Sequence, residues 1–265
     1  MKDEGVSVLP RMDQVWWETL GWQPDSTQQA KFQRLYALIL QGNRQLNLTR
    51  ITGPEEFWEK HLWDSLSGIK SFLKDVACSP EGVGRRMKDE TLPSPPPSLN
   101  VIDIGTGAGF PGVPVAIALP TWTVTLLDAT RKKIAFLDTL LTDLEIGNMR
   151  TVCDRAEQIG HNPQYRGKFD LALIRAVASA SVCAEYALPL LKVGGVAVLY
   201  RGRWTEAEAM PLQSALEVLG SKLEATEEWT TPLSQSDRHC LYLRKIEPTK
   251  ITFPRSIGLP TQKPL

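Results

Sequence analysis

A chain of 265 residues with 42% hydrophobic side chains is long enough for one large α/β domain with an appendage, or for two small domains, without staples. Its 30 Lys plus Arg balance 30 Asp plus Glu, which excludes a polycation, so any nucleic-acid contact must come from local patches. Cys78, Cys153, Cys183 and Cys240 have neither disulfide nor metal spacing, and no apolar run nears the ~20 residues of a membrane span, so a reducing cytoplasmic setting without metal or membrane is expected.

Residues 1–77 read as a helical cap. Ser26 and Gln29 have capping-box spacing, and Phe32, Leu35, Tyr36, Ile39 and Leu40 follow at helical intervals, which predicts an amphipathic helix to about Leu46. Thr52 as cap, Pro54 in the first turn and Glu55 start a second helix, with Phe57, His61, Leu62, Ser65, Leu66 and Ile69 on one face. His61 reads as a packing histidine ahead of a catalytic one; Asp64, three residues on, can orient its ring. Over 78–99, glycine, charges and PSPPPS replace periodicity, so this is a linker or mobile loop, its Arg85, Arg86 and Lys88 reading as solvated charges ahead of phosphate ligands.

The core is expected over 100–246. Val101, Ile102 and Ile104 form an apolar run that stops at Gly105, Gly107 and Gly109, as a buried parallel strand does on entering a tight turn before a helix. Asp103 at the strand end can accept hydrogen bonds from loop amides or a ligand amine. A dinucleotide fingerprint needs glycine where Phe110 stands, which strains a nicotinamide oxidoreductase reading. A helix over Val113–Leu119 and a strand over Thr123–Leu127 lead to Asp128, about 20 residues beyond the loop, where a carboxylate can accept both ribose hydroxyls of an adenosyl ligand.

Arg131, Lys132 and Lys133 then open a helix whose inner face is Ile134, Leu137, Leu140, Leu141 and Leu144. Cations there oppose the helix dipole; a docked polyanion and a solvated turn account for them equally. Met149–Cys153 is a third strand, with Ala156 and Glu157 placed to frame an adenine edge. Phe169–Ile174 is a fourth, ending at Arg175, which suits a ligand carboxylate or substrate phosphate ahead of a surface salt bridge. A helix over Ala180–Leu191 stopped by Gly194-Gly195, a strand over Val196–Tyr200 followed by Arg201 and Arg203, a helix over Glu206–Leu219 and a strand over His239–Arg244 complete the core. The tail, 247–265, has no period and carries Lys250, Arg255 and Lys263; it is expected to be extended, mobile and drawn to phosphates.

In order, NLTRI, EEFWEKHLWDSL, VIDIGTGAGFPGVPVAI, LLDATRKKIAFL, CDRAEQ, FDLALIRAVAS, LPLLKVGG and FPRSIGLPTQKPL span from about Gln45 to the C-terminus. As a set they resemble the bacterial small-subunit (16S) rRNA guanine-N7 methyltransferases, also called glucose-inhibited division protein B. The resemblance implies an α/β fold of the class I S-adenosylmethionine-dependent methyltransferase type, Rossmann-like, with a seven-stranded mostly parallel sheet and an N-terminal helical cap. It implies S-adenosylmethionine contacts at Gly105, Phe110, Asp128, Ala129, Thr130, Ala156, Glu157 and Arg175, to which the loop reading adds Asp103, Gly107 and Gly109. The partner implied is 16S rRNA or the assembling small subunit; the chain is expected to be a monomer. Candidate RNA contacts are Arg131, Lys132, Arg201 and Arg203.

The implied chemistry suits what the chain lacks. Guanine N7 has an in-plane lone pair and no proton to lose, so methyl transfer needs in-line positioning and no dedicated base. An exocyclic-amine target would favour an Asn/Asp-Pro-Pro-aromatic loop where this chain has Arg-Ala-Val-Ala, and a cytosine C5 target would need a nucleophilic cysteine there, whereas Cys183 falls inside the next helix. Alkylation leaves positive charge on the base, so a site not crowded with cations, or one with a carboxylate such as Asp64 or Glu157, would help; Asp64 and Arg175 are the candidate supporting residues. A noncatalytic cofactor- or RNA-binding module is the other class left open.

Overall fold

A computed structural model describes residues 8–74 and 98–265, so Arg85, Arg86 and Lys88 of the expected loop lie outside the described residues. Five strands pair in parallel: β1 (Asn100–Ile104), β2 (Thr123–Asp128), β3 (Met149–Cys153), β4 (Phe169–Arg175) and β5 (Leu191–Arg201). On the β5 edge, β6 (Ser221–Thr230) and β7 (Asp237–Lys245) add an antiparallel hairpin. Together they form one seven-stranded, mostly parallel sheet, as the resemblance implies, in the order β3-β2-β1-β4-β5-β7-β6. Chain direction across the sheet reverses between β1 and β4, so the loops leaving their carboxyl ends part there and open a crevice.

The parallel strands read as apolar runs because both faces are covered. On one face α1 (Asp13–Leu20), α2 (Ser26–Asn43), α3 (Pro54–Phe57), a π-helical segment (Trp58–Trp63), α4 (Asp64–Ser67), α5 (Lys70–Lys74), α6 (Gly112–Ala118) and α7 (Arg131–Asp143) share a core with Val101, Val124 and Leu173. On the other, α8 (Ala156–Ile159), α9 (Ala180–Ala187) and α10 (Glu206–Leu219) cover Ile102, Ile104 and Leu199. Trp16 centres the cap, with Trp58 edge-on at 4.8 Å and Phe32 stacked at 6.3 Å. Fully buried side chains such as Phe32 and Leu35 each contribute roughly 1.5 to 3 kcal/mol of transfer free energy, which holds this face closed.

Several local expectations shift. The capping box sits one residue earlier: the Asp25 carboxylate accepts from Gln28 N at 2.8 Å and Gln28 Oε1 accepts from Asp25 N at 2.9 Å. Helix α2 ends at Asn43 rather than near Leu46, because Asn43 Oδ1 accepts from Leu48 N and Thr49 N and turns the chain. Gly53, not Thr52, is the cap of α3, and the helix passes into π geometry over Trp58–Trp63, whose extra residue per turn no apolar period announced. Helix α9 stops at Ala187; a 3-10 turn holding Pro189 follows, and β5 begins at Leu191. Gly194 and Gly195 therefore lie inside a strand, where pairing with β4 is irregular and a Cβ on Gly195 would meet Asp170 O at 3.0 Å. Strand β6 and helix α1 carry weak sequence patterns, and most of β6 faces solvent.

The tail is not an extended, mobile segment. The Arg166 guanidinium donates to the carbonyls of Gly160, Thr249, Lys250 and Phe253, and a short helix α11 (Leu259–Gln262) seats Pro260 against the domain. Sequence periodicity is blind to this arrangement, since backbone carbonyls on one guanidinium and the buried ring of Phe253 hold the segment, not a repeating apolar face.

Candidate active site

Strand β1 delivers Asp103 and Gly105 to the crevice. Asp103 is fully buried; its Oδ2 accepts from Thr106 Oγ1 at 2.6 Å and from Gly112 N at 2.8 Å, tying the loop to the start of α6. Burial pushes its carboxyl up to about 6 against these hydrogen bonds, and Oδ1 has no partner. Gly105 has φ 70°, and a Cβ there would lie 2.6 Å from Val177 Cγ2, so only glycine lets this loop pass under the turn after β4. At the end of β2, Asp128 Oδ2 accepts from Gly107 N at 3.0 Å and Oδ1 from Thr130 N at 2.8 Å.

These residues edge a cavity of about 300 Å³ lined by Gly105, Asp128, Ala129, Ala156 and Glu157 together with Asp154, Arg155, Val177, Tyr186 and Thr261. The donor set fits an adenosyl ligand. Each Asp128 oxygen accepts one backbone N–H and keeps a lone pair for a ribose hydroxyl, and a Cβ at Gly107 would meet nothing nearer than Gly105 O at 3.9 Å, leaving the loop open for close approach. Gly107, Gly109 and Thr130 serve the loop through their backbone and, like Asp103, do not line the cavity.

Phe110 and Arg175 do not line this first cavity. The Phe110 ring is buried against Phe57 and stacks on His61 at 4.4 Å and 11°. Arg175 sits over Phe110 at 5.9 Å; its Nη1 donates to Lys60 O at 2.9 Å and to Asp64 Oδ2 at 2.7 Å. Both Asp64 and Arg175 line a second cavity of about 480 Å³, on the other side of the turn Ala176–Ala178. Ala176 lines the second cavity while Val177 and Ala178 line the first.

Lys60, Arg175, Arg201, Arg203 and Arg238 line this second cavity, and Asp64 is the one carboxylate among its lining residues. Asp64 is held from two sides, since Arg238 Nε also donates to its Oδ1 at 3.1 Å. Arg201 ties the rim by donating to Ala178 O at 2.8 Å and pairing with Glu208 at 2.8 Å. Five cations against one carboxylate make the cavity cationic, and its field favours anionic groups such as phosphates. Lys132 instead lines a groove between α2 and α7, apart from Arg201 and Arg203, and Arg131 is exposed at the start of α7.

His61, Cys183 and Cys240 are not poised as base or nucleophile. Burial, followed by the charges of Arg175 and Lys60, pushes His61 down to about 3, and its Nε2 pairs with Thr49 Oγ1 at 2.8 Å, as suits a packing role. Burial pushes the Cys183 thiol up to about 11 and Cys240 well above its ordinary value. Because His61 titrates near 3 when folded and near 6.5 when unfolded, the unfolded chain binds the extra proton between these values. Stability present above pH 6.5 is therefore lost as pH falls toward 3. His61→Phe should make the fall in urea midpoint over this range shallower, and parallel curves for parent and variant would remove His61 from the acid response.

Lys60, Trp229, Arg238, Tyr186 and Thr261 escaped the sequence reading. Trp229 and Arg238 face each other across the β6–β7 pair, and the Glu59 carboxylate, accepting from Leu233 N at 2.6 Å and Ser234 N at 2.9 Å, fastens that hairpin to the π-helical segment. The only available signal was the alternation in RHCLYLRK, which marks a strand and not its neighbours.

A family model described as GidB, rRNA small subunit methyltransferase G, matches residues 28–79 and 91–241. A protein of Nostoc punctiforme named Ribosomal RNA small subunit methyltransferase G is 57% identical over 260 residues, covering 98% of this chain and 100% of that protein. Proteins of the same name from Trichormus variabilis (55% over 260 residues, 98% and 100% covered) and Trichodesmium erythraeum (55% over 265 residues, 100% and 98% covered) match equally along their length.

Proposed function

The chain belongs to the rRNA small subunit methyltransferase G family, and from that premise we propose that it methylates N7 of a guanine in small-subunit (16S) rRNA, using S-adenosylmethionine, in the cytoplasm. One observation carries the reading: a single turn, Ala176–Ala178, divides an acid-tipped cavity suited to an adenosyl group from a cationic cavity suited to RNA. When bound, the cofactor supplies an electrophilic methyl group on a sulfonium.

Asp128 would hold the ribose hydroxyls, Ala156 and Glu157 would face the base, and the loop at Gly105 would leave room for the rest of the cofactor. In the second cavity Arg203, Lys60 and Arg238 attract the phosphate backbone, while the Arg175–Asp64 pair keeps one carboxylate within the cationic lining. Asp64 lowers the cost of charge appearing on the guanine ring, and no proton has to be removed, in keeping with a neutral His61 and protonated cysteines. Catalysis is then a matter of holding the N7 lone pair in line with the methyl group.

The test offers the purified protein methyl-labelled cofactor with either deproteinised small-subunit rRNA or assembled subunits, and identifies the product by mass after nuclease digestion. We expect 7-methylguanosine from at least one substrate. Label on an exocyclic amine or a ring carbon would overturn the N7 assignment; cofactor binding without transfer to either substrate would leave a noncatalytic module.

A further inference from the structure

We infer that the C-terminal segment is a working part of the cofactor site, with Arg255 as a positioning residue and Thr261 as a direct wall of the cavity; this rests on the reading of that cavity as the S-adenosylmethionine site. Two anchors fix the segment. Arg166 gathers the carbonyls of Thr249, Lys250 and Phe253, and His161 Nε2 donates to Pro254 O at 2.6 Å. Arg255 clasps Glu185 of α9: its backbone N donates to Oε1 at 2.8 Å, Nε to Oε1 at 2.9 Å and Nη2 to Oε2 at 2.6 Å. Glu185 is 1% exposed, so its charge is affordable only with this partner in place.

Beyond the clasp the segment reaches the cavity. Gly258 N donates to Glu157 Oε1 at 3.0 Å, and the Tyr186 hydroxyl donates to the same oxygen at 3.3 Å. Thr261 Oγ1 lies 3.3 Å from the Tyr186 hydroxyl, and Glu157, Tyr186 and Thr261 all line the cavity. With Oε1 taken by two donors, the 5% exposed Glu157 has Oε2 as its remaining acceptor, the arrangement that reads an exocyclic amine on a base. The segment therefore sets the direction of the Glu157 carboxylate, and its Arg255 is spent on Glu185 instead of on phosphate. A basic tail that captured RNA would leave its guanidinium to solvent; this one turns it inward.

The experiment uses the full chain and calorimetry with S-adenosylmethionine, S-adenosylhomocysteine and S-inosylhomocysteine, in which a carbonyl replaces the base amine. Arg255→Ala is expected to weaken S-adenosylhomocysteine binding about tenfold and to erase most of the preference over the inosyl analogue, with Arg255→Lys recovering part of both. Thr261→Val, which leaves the clasp intact and keeps the fold, should weaken binding about threefold while RNA affinity stays at the parent value. Variants that melt earlier yet keep parent affinity and preference would make the segment structural only and overturn the inference. So would a Thr261→Val protein with unchanged cofactor affinity whose RNA affinity falls. A parent chain that binds no cofactor overturns the cavity reading as well, whereas cofactor binding lost in Asp128→Ala and untouched in Arg255→Ala and Thr261→Val overturns this inference alone.

Discussion

Asp128→Ala is expected to weaken S-adenosylmethionine binding about 100-fold, or roughly 2 to 3 kcal/mol, the largest single effect on the cofactor side. Two contributions add. In the proposed site the carboxylate would accept charge-assisted hydrogen bonds from two ribose hydroxyls, each worth more than a neutral bond, and it already organises the loop by accepting from Gly107 N and Thr130 N. Its removal frees the glycine turn just where the ligand must be approached closely, so the ligand has to order the loop as it binds. Asp128 is 7% exposed, and the backbone amides it releases can reach water at the crevice, so the fold should survive the change. Calorimetry on the variant decides: affinity within a factor of about three of the parent would remove Asp128 from the cofactor site.

Arg175→Ala should lower methyl transfer to small-subunit rRNA by about 100-fold while leaving cofactor affinity nearly unchanged. The arginine lines the second, cationic cavity, and Asp64 draws on both Arg175 at 2.7 Å and Arg238 at 3.1 Å. Deleting one partner leaves a 7% exposed carboxylate half-compensated; with Arg238 still present and solvent nearby, a stability loss of about 2 kcal/mol is expected, below the range for an isolated buried pair. Asp64→Ala in the Arg175→Ala background removes that unpaired charge, so the double variant should be more stable than the sum of the singles predicts. Urea unfolding and initial rates at saturating cofactor give both readouts. If cofactor affinity falls in step with the rate, Arg175 belongs to the cofactor after all, as the motif resemblance implies.

The chain by itself determined the strand that feeds the glycine loop, the acid at the end of β2 and the Ala156-Glu157 step after β3. Each is a local signal: an apolar run ended by glycines, a carboxylate at a fixed chain distance, a strand followed by a short turn. Local free-energy terms act over a few residues, so reading a few residues suffices for them. The tertiary structure alone decided which side chains share a cavity. Asp64 meets Arg175 across 111 positions and Arg238 across 174, and Glu59 meets Ser234 across 175. The hairpin that supplies Arg238 and Trp229 joins the sheet by edge pairing, which carries no sequence period of its own, and half of it went unforeseen because β6 faces solvent. The tail shows the same division. Proline and cations with little apolar content suggest a free segment, but Glu185, buried in α9, needs a cation, the carbonyls at 249, 250 and 253 converge on one guanidinium, and Phe253 joins the core under α9, so long-range contacts fix it in place.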